Sequence, residues 1–96
     1  DLLIPMDGVY AVMADIGEKT NKRGIMNIGT RPTFDGRNRT LEVNIIDEMG
    51  NFYDQVVIVH FIARLRSERQ FPSAEALALQ IQQDKEQAIK LLNHDY

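Results

Sequence analysis

Leu41, Val43 and Ile45 alternate with Thr40, Glu42 and Asn44. A period of two predicts a half-buried β-strand, with the apolar set on one face and the polar set on the other. The polar face then carries a lone carboxylate, Glu42, between two small hydrogen-bonding residues. A carboxylate held on a rigid strand is a candidate general base. Val9 to Ala14 is apolar throughout, with β-branched and aromatic residues, and predicts a strand buried on both faces. Gly24 to Gly29 predicts a second, short strand, whose two glycines suggest close backbone approach or a bulge. Gln55 to Arg66 is the longest candidate. Val57, Val59, Phe61, Ala63 and Leu65 form one apolar face, while Val56, Ile58, His60, Ile62, Arg64 and Arg66 turn from apolar to basic. A strand of that length bends or serves two neighbours, as in a small barrel.

Between these strands lie polar connections. Ile16 to Arg23 predicts a hairpin connection with Gly17 and Asn21 as turn residues. Thr30 to Asn38 is the most irregular stretch, since Pro32 removes a ladder donor and Asp35-Gly36 signals a turn. Asp47 to Asn51 predicts another turn. Pro72-Ser73 then opens a helix, with Ser73 as N-cap and Glu75 in the first turn, where the helix dipole favours an anion. Ala74, Leu77, Ala78, Ile81, Ala88, Ile89 and Leu92 fall on one stripe. About 18–20 residues give a helix near 30 Å long. Four short strands and one helix predict an α+β or barrel-plus-helix architecture.

Composition narrows the class. Ninety-six residues form one domain, 1–96. The net charge of −3 argues against a generic nucleic-acid binder, which carries a basic excess. The absence of cysteine excludes a disulfide framework and any thiolate zinc site, and fits a reducing compartment such as the cytoplasm. No apolar run approaches the roughly 20 residues of a membrane span, and no signal-peptide pattern is present. The first residue is Asp1, and the simplest reading is a piece of a longer chain.

The residue types leave several roles open. Thr40 and Asn44 either orient Glu42 or are plain strand surface. Arg31, Arg37 and Arg39 crowd one loop as a charged hairpin or, since guanidinium suits phosphate, as a clamp. Phe52 and Tyr53 read as hairpin packing, Arg66 as a surface arginine and Phe71 as core. His60 and His94 lack metal-ligand spacing.

The succession of motifs is more specific. Gly8-Val9-Tyr10-Ala11-Val12 is followed by Met26-Asn27-Ile28-Gly29-Thr30-Arg31-Pro32-Thr33-Phe34, then by Leu41-Glu42-Val43 and Phe52-Tyr53. Leu65-Arg66, Glu68, Phe71, Ser73 and Glu75-Ala76-Leu77 complete it. In combination these resemble the riboflavin kinase module, which in bacteria forms the C-terminal part of a bifunctional riboflavin kinase/FAD synthetase. The resemblance runs from about Gly8 to the end of the helix.

It implies a mainly β, Greek-key split barrel with a C-terminal helix beside it. It implies transfer of the γ-phosphoryl of ATP to the ribityl 5′-hydroxyl of riboflavin, giving FMN and ADP, with Mg²⁺ accompanying the nucleotide. Glu42 maps onto the family's general base. Arg66 and Phe71 fall in the segment that closes the flavin site; Asn27, Thr40, Asn44 and Tyr53 fall on the ATP side. The family's Pro-Thr-Ala-Asn motif, whose Thr and Asn help hold metal and phosphates, does not occur in these residues. The resemblance therefore implies a missing first strand, no metal ligands in this chain, a nucleotidyltransferase domain upstream, and weak or absent kinase activity of the 96 residues alone. An exposed strand edge would then pair with a neighbouring chain, be covered by the leading segment, or aggregate. Asp54 and Asn44 stand where the family carries Gly and His, and Asp54 would mildly repel a triphosphate. The competing readings are a non-catalytic flavin- or nucleotide-binding barrel, and a small barrel binding RNA or protein through its arginine loop. The acidic balance and the lack of a paired aromatic platform count against the last.

Overall fold

The apolar run that begins at Val9 becomes the spine of the sheet. Strand β1 (Gly8–Ile16) is buried along nearly its whole length. Its neighbours are β2 (Lys19–Thr33) and β4 (Val57–Arg66), and β3 (Gly36–Ile45) pairs with β2 on the outside. All pairings are antiparallel. The spatial order β3-β2-β1-β4 is a Greek key, a meander of three strands with the fourth returning beside the first. Helix α1 (Ala74–Asp95) packs on one face. This computed structural model describes residues 5–47 and 54–95, with the side chains of 31–33, 94 and 95 outside the description. Among the described residues the sheet does not close into a barrel; β3 and β4 are its edges.

A strand at the centre of a sheet packs both of its faces, and β1 does so with two apolar sets. Val9, Ala11 and Met13 point to the helix side, where they meet Ile25, Ala88 and Leu92. Tyr10 and Val12 point to the other side with Met26 and Ile28. There the Tyr10 and Phe61 rings meet edge-to-face at 5.2 Å between centroids. The leading segment crosses this second face. Tyr10 Oη donates to the Met6 carbonyl at 2.6 Å, and the Asp7 carboxylate accepts from Thr30 Oγ1 and from Arg39. The Asp7 carbonyl takes a bond from Arg64 at 2.7 Å. One aspartate thus ties the leading segment to β2, β3 and β4.

The first hairpin turns at Gly17-Glu18, between the paired Ile16 and Lys19. Gly17 (φ 58°) and Asn21 (φ 56°) both occupy the left-handed region, which Gly and Asn tolerate best. The expected connection over Ile16–Arg23 is thus only two residues long: Gly17 is a turn residue as read from the sequence, whereas Asn21 lies within β2. Thr30 to Asn38, by contrast, is not irregular. β2 runs to Thr33 and turns back at Phe34-Asp35. Pro32 is tolerated because β1 ends its pairing at Gly8↔Ile28. From Gly29 onward β2 is a local edge, where a missing donor costs no ladder bond.

Two further expectations are corrected. β3 is not half-buried: Leu41 and Val43 are 47% and 37% exposed, and only Ile45 of that set is buried. As an edge strand it has neighbours on one side only. The simple alternation along β4 also fails. Register shifts between Val9 and Tyr10 and between Ala11 and Val12 place Arg66, Ala63, His60 and Ile58 opposite the helix-facing residues of β1. Phe61, Val59 and Val57 lie opposite the other set. Each bulge shifts the side-chain phase by one residue.

Ser73 caps the helix as expected, its Oγ accepting from Ala76 N at 3.1 Å. The apolar stripe is only half used. Ala88 and Leu92 are buried, whereas Leu77 and Ile81 are 42% and 37% exposed. The second half of the helix packs on the sheet and the first half overhangs it.

Candidate active site

Below that overhang lies a cleft of about 810 Å³, within the size range of small-molecule sites. Its floor is the helix-facing side of β3 and β2. Register pairs Glu42 with Asn27 and Asn44 with Ile25, and all four line the cleft. Alternation along β3 therefore did put the polar set on the cleft-facing side. Its roof is Leu77 and Ile81 of the helix and the irregular segment 67–73, which contributes Glu68, Arg69, Gln70, Phe71 and Ser73. The polar–apolar mix suits a planar apolar ligand with a polar tail. The floor offers carboxylate and amide groups; the roof offers a ring and two aliphatic side chains.

Most of the site residues expected from the sequence come together here. Glu42, Asn27, Asn44, Arg66 and Phe71 share the cleft. Thr40 points to the same side of β3, two residues from Glu42, and its hydroxyl lies 3.5 Å from the Gly29 carbonyl, at the limit of a hydrogen bond. Tyr53 lies outside the described residues. Asn27 Oδ1 is buried with no donor in reach among the described residues. An acceptor left without a donor is costly, on the order of 1–3 kcal/mol, so this floor is not built for stability alone.

Neither Arg37 nor Arg39 lines the cleft. Arg39 donates to the Asp7 carboxylate, with Nη2 2.9 Å from Oδ1, and to the Pro5 carbonyl. Arg37 is exposed, and the side chain of Arg31 lies outside the description. Hydrogen bonds from Thr30 and Arg39 hold the Asp7 carboxyl below the usual carboxylate range. His60 pairs with Asp15 at 3.3 Å on an exposed part of the sheet, and a backbone hydrogen bond from Asn21 lowers the Asp15 carboxyl first, with His60 second.

Arg66 behaves unlike a surface residue. Its Nε donates to Asp84 Oδ1 at 2.9 Å and its Nη2 to Oδ2 at 2.8 Å, a fork-on-carboxylate pair. Nη1 donates to the Ser67 carbonyl at 3.1 Å. The Phe71 ring lies 5.6 Å from the Arg66 guanidinium carbon and 4.8 Å from that of Arg69, both within cation–π range. Asp84 was missed from sequence. The signal was there: it lies three residues after Ile81 and four before Ala88, a carboxylate inside the apolar stripe. Glu68 was read only as part of a motif. Its carboxylate carbon would sit 3.1 Å from a Cβ built on Gly29, so the absent side chain of that glycine makes room for it. This is the close approach the glycine suggested.

Among the described residues, no group of three or more His, Asp or Glu is placed to hold a metal ion.

Comparison with known proteins gives the family. A family model described as riboflavin kinase (flavokinase) matches residues 1–92. A bifunctional riboflavin kinase/FMN adenylyltransferase of Haemophilus influenzae is 39% identical over 93% of this chain and 29% of its own length. The enzyme of the same name from Bacillus subtilis is 36% identical over 96% of this chain and 30% of its own. The chain thus spans about 30% of the length of these curated relatives. A solved structure described as a macrolide-efflux protein from Streptococcus pneumoniae superposes with a TM-score of 0.78 at 35% identity, covering 86% of this chain and 27% of that one. The motifs along β1 to β3, the Greek-key sheet with its C-terminal helix and a family match over nearly the whole length lead to one assignment: this chain belongs to the riboflavin kinase family.

Proposed function

We propose that this module phosphorylates riboflavin, moving the γ-phosphoryl of ATP to the ribityl 5′-hydroxyl and releasing FMN and ADP. The observation that carries this reading is the shared cleft. Glu42 stands on its floor while Phe71 and the helix side chains Leu77 and Ile81 form its roof. A flavin has the matching shape, a planar ring system and a polyhydroxyl tail. With the ring under the roof and the tail on the floor, the terminal hydroxyl meets Glu42. A primary alcohol is a weak nucleophile, so a carboxylate that takes its proton as the O–P bond forms contributes about 10²–10⁴-fold. The proton moves to Glu42 Oε, the alkoxide oxygen attacks the γ-phosphorus, and ADP leaves.

Phosphoryl transfer asks the protein mostly for positioning. Asn27, Asn44 and Thr40 on the floor strands, together with Tyr53, orient the nucleotide and the polyol in this reading. Magnesium enters with ATP as part of the co-substrate. In the parent protein we infer an upstream FMN adenylyltransferase domain, as in the relatives' names, acting on the FMN made here, in the cytoplasm where ATP is plentiful. No helix of the described residues is long and apolar enough to cross a membrane.

Replacing Glu42 by Gln in the full-length protein is the test. FMN formation at saturating substrates should fall about 10²–10⁴-fold, while quenching of riboflavin fluorescence should report nearly unchanged flavin affinity. Full turnover by Glu42→Gln would remove Glu42 from the mechanism. Flavin binding without any FMN formation by the unmodified protein would favour a non-catalytic flavin-binding role. A parallel assay of the 96-residue chain should give little or no FMN.

A further inference from the structure

Asp84 is the one charged residue buried among the described residues, at 3% exposure. It accepts from Arg66 through both carboxylate oxygens and from Gln80 Nε2 at 3.0 Å. Arg66 in turn spends its third nitrogen on the Ser67 carbonyl. Its guanidinium is therefore committed to Asp84 and the chain, and what it presents to the cleft is its position beside the Phe71 ring. Removing an ion pair from water is expensive, and an apolar pair of similar volume would hold helix to sheet at least as well. What an apolar pair cannot do is fix the plane of a guanidinium. That plane sets two things at once: the start of the irregular segment 67–73, through Ser67, and the ring of Phe71.

We propose that Asp84 is a positioning residue for the aromatic ring system of the substrate. By holding Arg66 it holds Phe71 in the orientation against which a planar ligand stacks. Without Asp84 the Arg66 guanidinium keeps only its Ser67 bond, and Phe71 is left with the Arg69 contact alone. This rests on the riboflavin kinase reading of the cleft. It assigns to a helix residue a share of flavin affinity, although that residue need not touch the flavin.

The experiment compares Asp84→Asn with the unmodified protein, both full-length. Binding of riboflavin, and of lumichrome as a ring system lacking the ribityl tail, is read by fluorescence, and ATP binding by calorimetry. Affinity for both ring ligands should fall about tenfold, the scale of one lost aromatic contact, with ATP affinity unchanged. Equal flavin affinities in the two proteins would overturn the proposal, as would an equal loss for ATP, which marks general loosening. If Asp84→Asn fails to fold, Arg66→Lys serves instead, because lysine keeps the charge but not the fork. The Arg66→Lys loss should vanish in a Phe71→Leu background; an undiminished loss there would overturn the proposal. If the unmodified full-length protein binds neither ring ligand, the riboflavin kinase reading falls, and this inference with it.

Discussion

Two of the arginine–aspartate pairs that tie the sheet to its surroundings differ in what surrounds them. Arg66–Asp84 joins the end of β4 to the middle of the helix, with side chains 19% and 5% exposed. Arg23–Asp47 joins β2 to the residues just after β3, with side chains 28% and 24% exposed, and Arg23 Nη1 reaches on to Asn93 near the helix end at 2.7 Å. Both are fork-like. The outer pair can exchange partners with water, and its contribution is correspondingly small. The inner pair cannot. Its charges depend on each other, so breaking it is costly even where forming it gains little. Similar hydrogen-bond geometry therefore does not imply similar energetics.

The largest expected effect follows from removing half of the inner pair. Asp84→Ala leaves the partly buried Arg66 guanidinium without its carboxylate and should cost about 3 kcal/mol in urea unfolding, the lower end for a broken buried pair. Asp47→Ala should cost under about 1 kcal/mol. Comparable losses at the two sites would erase the distinction between them.

A second effect has the opposite sign. Replacing both partners, as Arg66→Met with Asp84→Leu, should recover most of the stability lost by Asp84→Ala, because no charge is left stranded, and could equal the unmodified chain to within about 1.5 kcal/mol. Riboflavin affinity should not return with stability. Recovery of both together would mean that the pair only joins helix to sheet.

The same contrast explains what the sequence disclosed. Glu42 was legible because its surroundings are local: alternation with Leu41, Val43 and Ile45 fixes the face on which it stands. Ser73 and the turn residue Gly17 were legible for the same reason. Asp84 was not, because its meaning lies in a partner 18 residues away. That partner sits on a strand whose phase is shifted twice by pairing with β1. Bulges are settled between strands, and no period within β4 reveals them. The exposure of Leu41 and Val43 was hidden likewise, since burial of a strand face depends on what packs over it. Pro32 was overread: its missing donor matters only where a second neighbour needs it, and β1 has already stopped pairing there.

The smallest effect concerns the outer pair alone and is best seen through pH. Hydrogen bonds from Arg23 hold the Asp47 carboxyl below its ordinary value of 3.8. A carboxyl whose pKa is lower folded than unfolded stabilises the fold above the unfolded value, and that stabilisation is lost as pH falls through the folded one. Asp7 and Asp15 are lowered too, so acid destabilisation of the unmodified chain mixes three carboxyls. Asp47→Asn separates them. Its stability difference from the unmodified chain, about 0.2–1 kcal/mol, should stay flat at neutral and mildly acid pH. It should shrink only once pH drops below 3.8. At 1 M salt, where the screening length is about 3 Å, the difference at neutral pH should shrink as well. A difference that persists unchanged into strong acid would show that Asn disturbs packing at position 47, not a charge. The outer pair would then have to be counted, like the inner one, by what is left behind when it is broken.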